Sequence, residues 1–69
     1  MLIVMEIQKN GEQVATIVDS YADRSIADQK YHTILAAAAV SSVDLHSAVM
    51  LDDDGHEIKH ESYVHGDVI

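Results

Sequence analysis

The chain predicts an α+β domain of the ββαββ type: a four-stranded antiparallel sheet in strand order 2-1-3-4, with one helix packed on one face. Three observations predict it. Asn10-Gly11 stands between two apolar-rich runs, Asp53-Asp54-Gly55 stands between two more, and an alanine-bearing stretch with helical spacing separates the two pairs.

Asn-Gly between residues 2–8 and 13–19 is the strongest short-range hairpin signal a chain carries. Taking these two residues as the loop pairs Lys9 with Glu12, Ile7 with Val14, Met5 with Thr16 and Ile3 with Val18. One side then holds Ile3, Met5, Ile7, Val14 and Val18. The other holds Leu2, Val4, Ala15 and Ile17, mixed with Glu6, Gln8, Gln13 and Asp19.

A helix is expected from Ser25 to Ser41. Ser25 and Asp28 resemble a capping box, with Asp23 as the competing cap. Ala27, Tyr31, Ile34, Leu35 and Ala38 share one stripe. At ~1.5 Å per residue the helix is roughly 25 Å long, enough to lie along a strand of seven or eight residues.

The second hairpin is expected over 44–52 and 56–64, with a three-residue loop whose glycine takes the left-handed conformation; a four-residue loop is the alternative. Asp52 opposite His56 sets Met50 against Ile58, Ala48 against His60 and Leu45 against Tyr63. Strands 1 and 3 read apolar on both sides and belong in the centre, while the more polar strands 2 and 4 belong at the edges. One helix shelters one face only. The pattern does not choose which.

The 69 residues make a single domain, 1–69. A chain this short buries only ~60% of the surface it exposes when unfolded, and small domains usually add a disulfide, a metal or a partner subunit. There is no cysteine, and the aromatic residues are three tyrosines. Self-association is therefore the expected support. The formal charge of −8 disfavours nucleic acid and anionic membranes as partners and suits a soluble protein. The opening Met1 to Met5 lacks a basic region and stops at Glu6, unlike a signal peptide, and residues 36–40 are too short to span a bilayer. A cytoplasmic location is expected.

No motif here carries chemistry with conviction. Of the five histidines (32, 46, 56, 60 and 65), residues 56, 60 and 65 would stand too far apart on a strand to share an ion, and only His46 and His60 could lie diagonally on one face. Surface histidines are the simpler account. Asp52-Asp53-Asp54-Gly55 lacks the alternate acids and distant glutamate of a calcium loop and reads as a solvated turn. His32 falls on the helix flank away from Tyr31, and no nucleophile elbow or phosphate loop is present. A chain of this size also has little room for a pocket of ~300 Å³. No catalytic residue, metal ligand or cofactor is assigned. Leu2, Val4 and Ile17 on the sheet, and Ala36, Ala37 and Val40 on the helix, are the candidate partner contacts. For the helix patch, plain helix propensity is an equal account.

The runs Tyr31-His32-Thr33-Ile34-Leu35-Ala36-Ala37-Ala38 and Ala48-Val49-Met50-Leu51-Asp52-Asp53-Asp54-Gly55, followed by a strand ending near Tyr63, resemble short proteins of phages and prophages of gut Firmicutes. The resemblance implies a phage-associated accessory role in an intracellular bacterial setting and carries over no site residue. Ser62 before Tyr63 departs from the pattern, in which an acid stands near the tyrosine; here that acid is Glu61. The expected function is a small acidic interaction module acting as a homo-oligomer. The alternative is an acidic inhibitor docking on a basic, nucleic-acid-binding protein surface, followed by a metal-dependent or inter-subunit enzyme built on His46 and His60.

Overall fold

A computed structural model describes residues 1–65. The elements run β1 (Leu2–Asn10), β2 (Gln13–Tyr21), α1 (Arg24–Ala39), β3 (Leu45–Asp52) and β4 (Glu57–Val64). They form the expected four-stranded antiparallel sheet in order β2-β1-β3-β4 with α1 packed on one face.

The first hairpin closes one residue further along than the Asn-Gly signal predicts, which moves each β1 residue's partner by two. Asn10 pairs with Gln13, so the loop is Gly11-Glu12, and Met5 meets Val18 rather than Thr16. A loop on Asn10-Gly11 of the commonest two-residue type needs positive φ at both residues, and here only Gly11, at φ +64°, has it. Glycine first and an ordinary residue second is the type II′ arrangement. The backbone N–H of Gly11 donates to Asp44 Oδ2 at 2.8 Å, tying the loop to the segment before β3. A shift of two residues in register leaves every side chain on its expected side of the sheet.

The second loop is the three-residue one, with Gly55 at φ +87° and its N–H donating to the Asp52 carbonyl at 3.1 Å. Beyond it the register departs from expectation. Leu51 pairs with Glu57 but Met50 pairs with Lys59, leaving Ile58 as the extra residue of a β-bulge. Every later pair moves by one, to Ala48 with Glu61 and Leu45 with Val64. A one-residue slip exchanges the faces. Lys59, Glu61 and Tyr63 turn toward the helix, and His60 turns away.

The helix is capped by Asp23, whose side chain accepts from the Ser25 N–H at 2.8 Å; Ser25 is not the cap. Asp28 is used across the fold instead, accepting from Lys59 Nζ at 3.0 Å and lying 3.5 Å from Arg24. All five residues of the expected stripe, Ala27, Tyr31, Ile34, Leu35 and Ala38, are buried. Ala27, Tyr31, Ile34 and Leu35 meet Val4, Ala48 and Met50, with Leu2 and Tyr21 at the margin. Ala27, Ala38 and Ala48 let helix and sheet approach closely, and Tyr31 fills the centre with the Lys59 ammonium 4.6 Å from its ring centroid.

Asp23→Ala is expected to lower stability by about 1 kcal/mol, since the Ser25 N–H loses its side-chain acceptor and no acid in the first turn replaces it. For a domain of this size that is a fall of roughly 4–8 °C in melting temperature, measurable by circular dichroism.

A candidate protein-binding face

The helix lies on the face made by Leu2, Val4, Glu6 and Gln8 of β1 and His46, Ala48 and Met50 of β3. Among the described residues, no element covers the opposite face. Its middle rows are Val18–Met5–Val49 and, beside it, Ile3–Leu51. Toward the Gly11 end, Lys9 stands between Val14 and Leu45, and Leu45 pairs with Val64. Val14, Val18 and Val64 are 60%, 53% and 48% exposed. The polar members are small or at the border: Ser47 and Ser62 share a hydrogen bond at 2.7 Å, and His60 lies 3.0 Å from Glu57 on the edge strand.

Charge is segregated between the two faces. Asp19 pairs with Val4, Asp52 with Leu2 and Glu61 with Ala48, so all three stand with Glu6 on the helix side. Among the described strand residues Glu57, opposite Leu51, is the acid on the open side. A chain of net charge −8 thus keeps one broad face nearly free of acid.

The six residues expected to contact a partner do not form one surface. Val4 is 2% exposed and belongs to the subunit's own core, with Leu2 packed beside it. Both are spent on the helix because the helix covers the even-numbered side of β1. Ile17 is exposed on that same side at the β2 edge. Ala36, Ala37 and Val40 are exposed on the helix, Val40 the most at 86%. The apolar positions the expectation missed are Ile3, Met5, Ile7, Val49 and Leu51. Their signal was present: β1 reads wholly apolar at 3, 5 and 7 but carries Glu6 and Gln8 on the alternate positions.

Those polar residues have partners. Glu6 Oε2 lies 2.6 Å from Nε2 of His46, itself 4% exposed, and accepts from Gln8 Nε2 at 2.9 Å. Burial pushes the Glu6 carboxyl up, but the hydrogen bonds from Gln8 and His46 and the nearby positive charge of His46 and Lys30 outweigh it, and its pKa is lowered. An ionised Glu6 only accepts, so His46 Nε2 carries the proton. Nδ1 of the same ring is buried with no partner among the described residues.

No set of three histidines converges among the described residues. His46 pairs with Tyr63 on the helix side and His60 with Val49 on the open side, so the bulge separates the two expected to share a face. His65 Nε2 lies 2.7 Å from the Ala38 carbonyl, and His32 is exposed, edge-on to Tyr31. Asp52, Asp54 and His56 bring potential ligand atoms within 4.8 Å of one another. Asp52 Oδ1, however, accepts the N–H groups of both Asp54 and His56, and the bond from the His56 backbone leads the causes that lower its pKa. That carboxylate serves the loop. A groove of about 510 Å³ opens beside the first hairpin, lined by Gln8, Asn10, Gln13, Val14, Ala15 and Val43. It exceeds the volume expected of so short a chain, but no acid or base lines it.

No family model, curated protein or solved structure matches this chain.

Glu6→Gln is expected to destabilise the domain by about 1–3 kcal/mol at neutral pH, because the buried His46 loses a charged acceptor. Folding lowers the Glu6 pKa, so its contribution is whole above the ordinary value of 4.5 and is lost as pH falls through the lower folded value. Urea melts at about pH 7 and about pH 3 should show the gap between the two proteins closing in acid.

Proposed function

We propose that this protein is a small non-enzymatic interaction module that self-associates by stacking the bare face of its sheet on the same face of a second copy. The observation that carries the reading is the segregation just described: a broad apolar surface, nearly free of acid, on a strongly acidic chain. Isolated apolar side chains on a surface need no explanation, but a contiguous patch rimmed by polar residues marks an interaction site. Eight-residue strands at ~3.4 Å and four strands at ~4.8 Å make a face about 27 Å by about 19 Å, so two stacked copies cover at least about 1,000 Å², the lower limit for a specific interface. Sheets stack this way in β-sandwiches, ~10 Å apart. Stacking also removes acid from the contact, where like charges would oppose it. A phage-associated accessory role within a bacterial cell is the setting that the resemblance implies. No helix among the described residues is long and apolar enough to cross a membrane.

One observation favours a second reading, an acidic module docking on a basic protein. Asp23 at the start of α1 and Asp52, Asp53, Asp54 and Glu57 around the second loop gather at one end of the sheet, where Leu2 meets both Tyr21 and Asp52. The N-terminal ammonium near Asp53 and Arg24 near Asp28 offset part of that charge. Binding of this kind would weaken steeply with added salt, whereas stacking of apolar faces would not.

Sedimentation at micromolar concentration separates the surfaces. The protein should sediment as an oligomer, Met5→Lys should reduce its mass while keeping the far-ultraviolet spectrum, and Val40→Lys on the helix should change nothing. A monomeric native protein, or dissociation by Val40→Lys alone, would refute stacking through the sheet.

A further inference from the structure

The two edges of the sheet are unlike. β4 carries the Ile58 bulge and the charged or titratable residues Glu57, Lys59, His60 and Glu61, features that discourage another strand from pairing. β2 has none of this protection. It is nine residues long and regularly paired, contains no proline, lysine or arginine, and has Asp19 as its one charge. Gln13 to Ser20 are all exposed.

The loop geometry fixes which backbone groups of β2 are free. In a two-residue hairpin the pair that closes the loop, Asn10 and Gln13, exchanges hydrogen bonds. Alternation then turns the N–H and C=O groups of Gln13, Ala15, Ile17, Asp19 and Tyr21 toward β1, and those of Val14, Thr16, Val18 and Ser20 outward.

We infer that β2 is a strand-addition site whose occupant is β2 of a second copy, paired antiparallel about a two-fold axis at Ile17. This is the register in which all nine residues find a partner. The outward-facing residues pair among themselves, Val14 with Ser20 and Thr16 with Val18, and each pair exchanges both of its hydrogen bonds. Asp19 falls opposite Ala15, so the one charge on the strand never meets its own copy. The contact is self-complementary, as a two-fold interface requires, and the backbone supplies the attraction. On a chain of charge −8, β2 is also the edge where like-charge repulsion is weakest. Pairing would join two bare faces into one eight-stranded surface with both helices on the other side. The contact stands apart from face stacking: either can form alone, and the two together build a tetramer.

Amide hydrogen exchange followed by NMR reads the contact directly. As protein concentration rises, the amides of Val14, Thr16, Val18 and Ser20 should become protected. Thr16→Pro removes an outward N–H that has no strand to donate to in the isolated subunit, and proline is tolerated at such edge positions. Ile17→Lys places two ammonium groups opposite each other on the axis. Each should halve the sedimenting mass and abolish the alternate protection, with the circular dichroism spectrum unchanged. Free exchange of those four amides at every concentration, or native mass in both variants, would overturn the inference. The stacking proposal fails separately: Met5→Lys would then leave the mass unchanged while Thr16→Pro halves it.

Discussion

A single helix can cover one face of a four-stranded sheet, and β1 and β3 carry apolar side chains on both. This mismatch governs the rest of the molecule. It forces a choice between the faces, and the choice goes against simple hydrophobicity. The helix lies over the side that includes Glu6, Gln8 and His46, and no described element covers Ile3, Met5, Val49 and Leu51 on the other. Ala48 opposes Glu6 on the covered side, and with Val4 and Met50 it packs against Ala27, Tyr31, Ile34 and Leu35 of the helix. The other side carries the rows Ile3–Leu51, Met5–Val49 and Ile7–Ser47.

Covering the more polar face requires that its polar groups satisfy one another. Glu6, Gln8 and His46 do so, apart from Nδ1 of the His46 ring, from positions adjacent in the β1–β3 register, where Gln8 pairs with His46 and Glu6 with Ala48. Such a cluster contributes less to net stability than to uniqueness of packing, because separating its members would leave a buried charge unpaired. Through Glu6 and His46 it bridges the two central strands. The Ile58 bulge does corresponding work on β4. By exchanging the faces of that strand it brings Lys59 to Tyr31 and Asp28, sets Ser62 against Ser47, and moves His60 to the open side. Without the extra residue, the cation that balances Asp28 would point away from the helix.

The edges complete the arrangement. β4 is bulged and charged, and β2 is long, regular and almost uncharged. A monomer that remained alone would gain from protecting both edges and from polar residues on its free face. This chain does neither at β2 nor at the centre of its open face, while its loops and helix side carry most of its charge.

The type and order of the elements were legible in the residues. Two glycine turns, period-two runs and one helical stripe suffice for ββαββ, and the apolar character of β1 and β3 places them centrally because central strands lose water on both flanks. The stripe from Ala27 to Ala38 needed no structure to identify, since helical spacing alone puts those residues on one side. Only the tertiary structure decided the rest. The covered face, the fate of Val4 and the separation of His46 from His60 depend on volumes and on one inserted residue in β4. A period of two is indifferent to which side becomes the inside, and a single-residue bulge leaves no mark in composition. Local pattern specifies what each segment is; the fit between segments chooses which of two similar surfaces remains open.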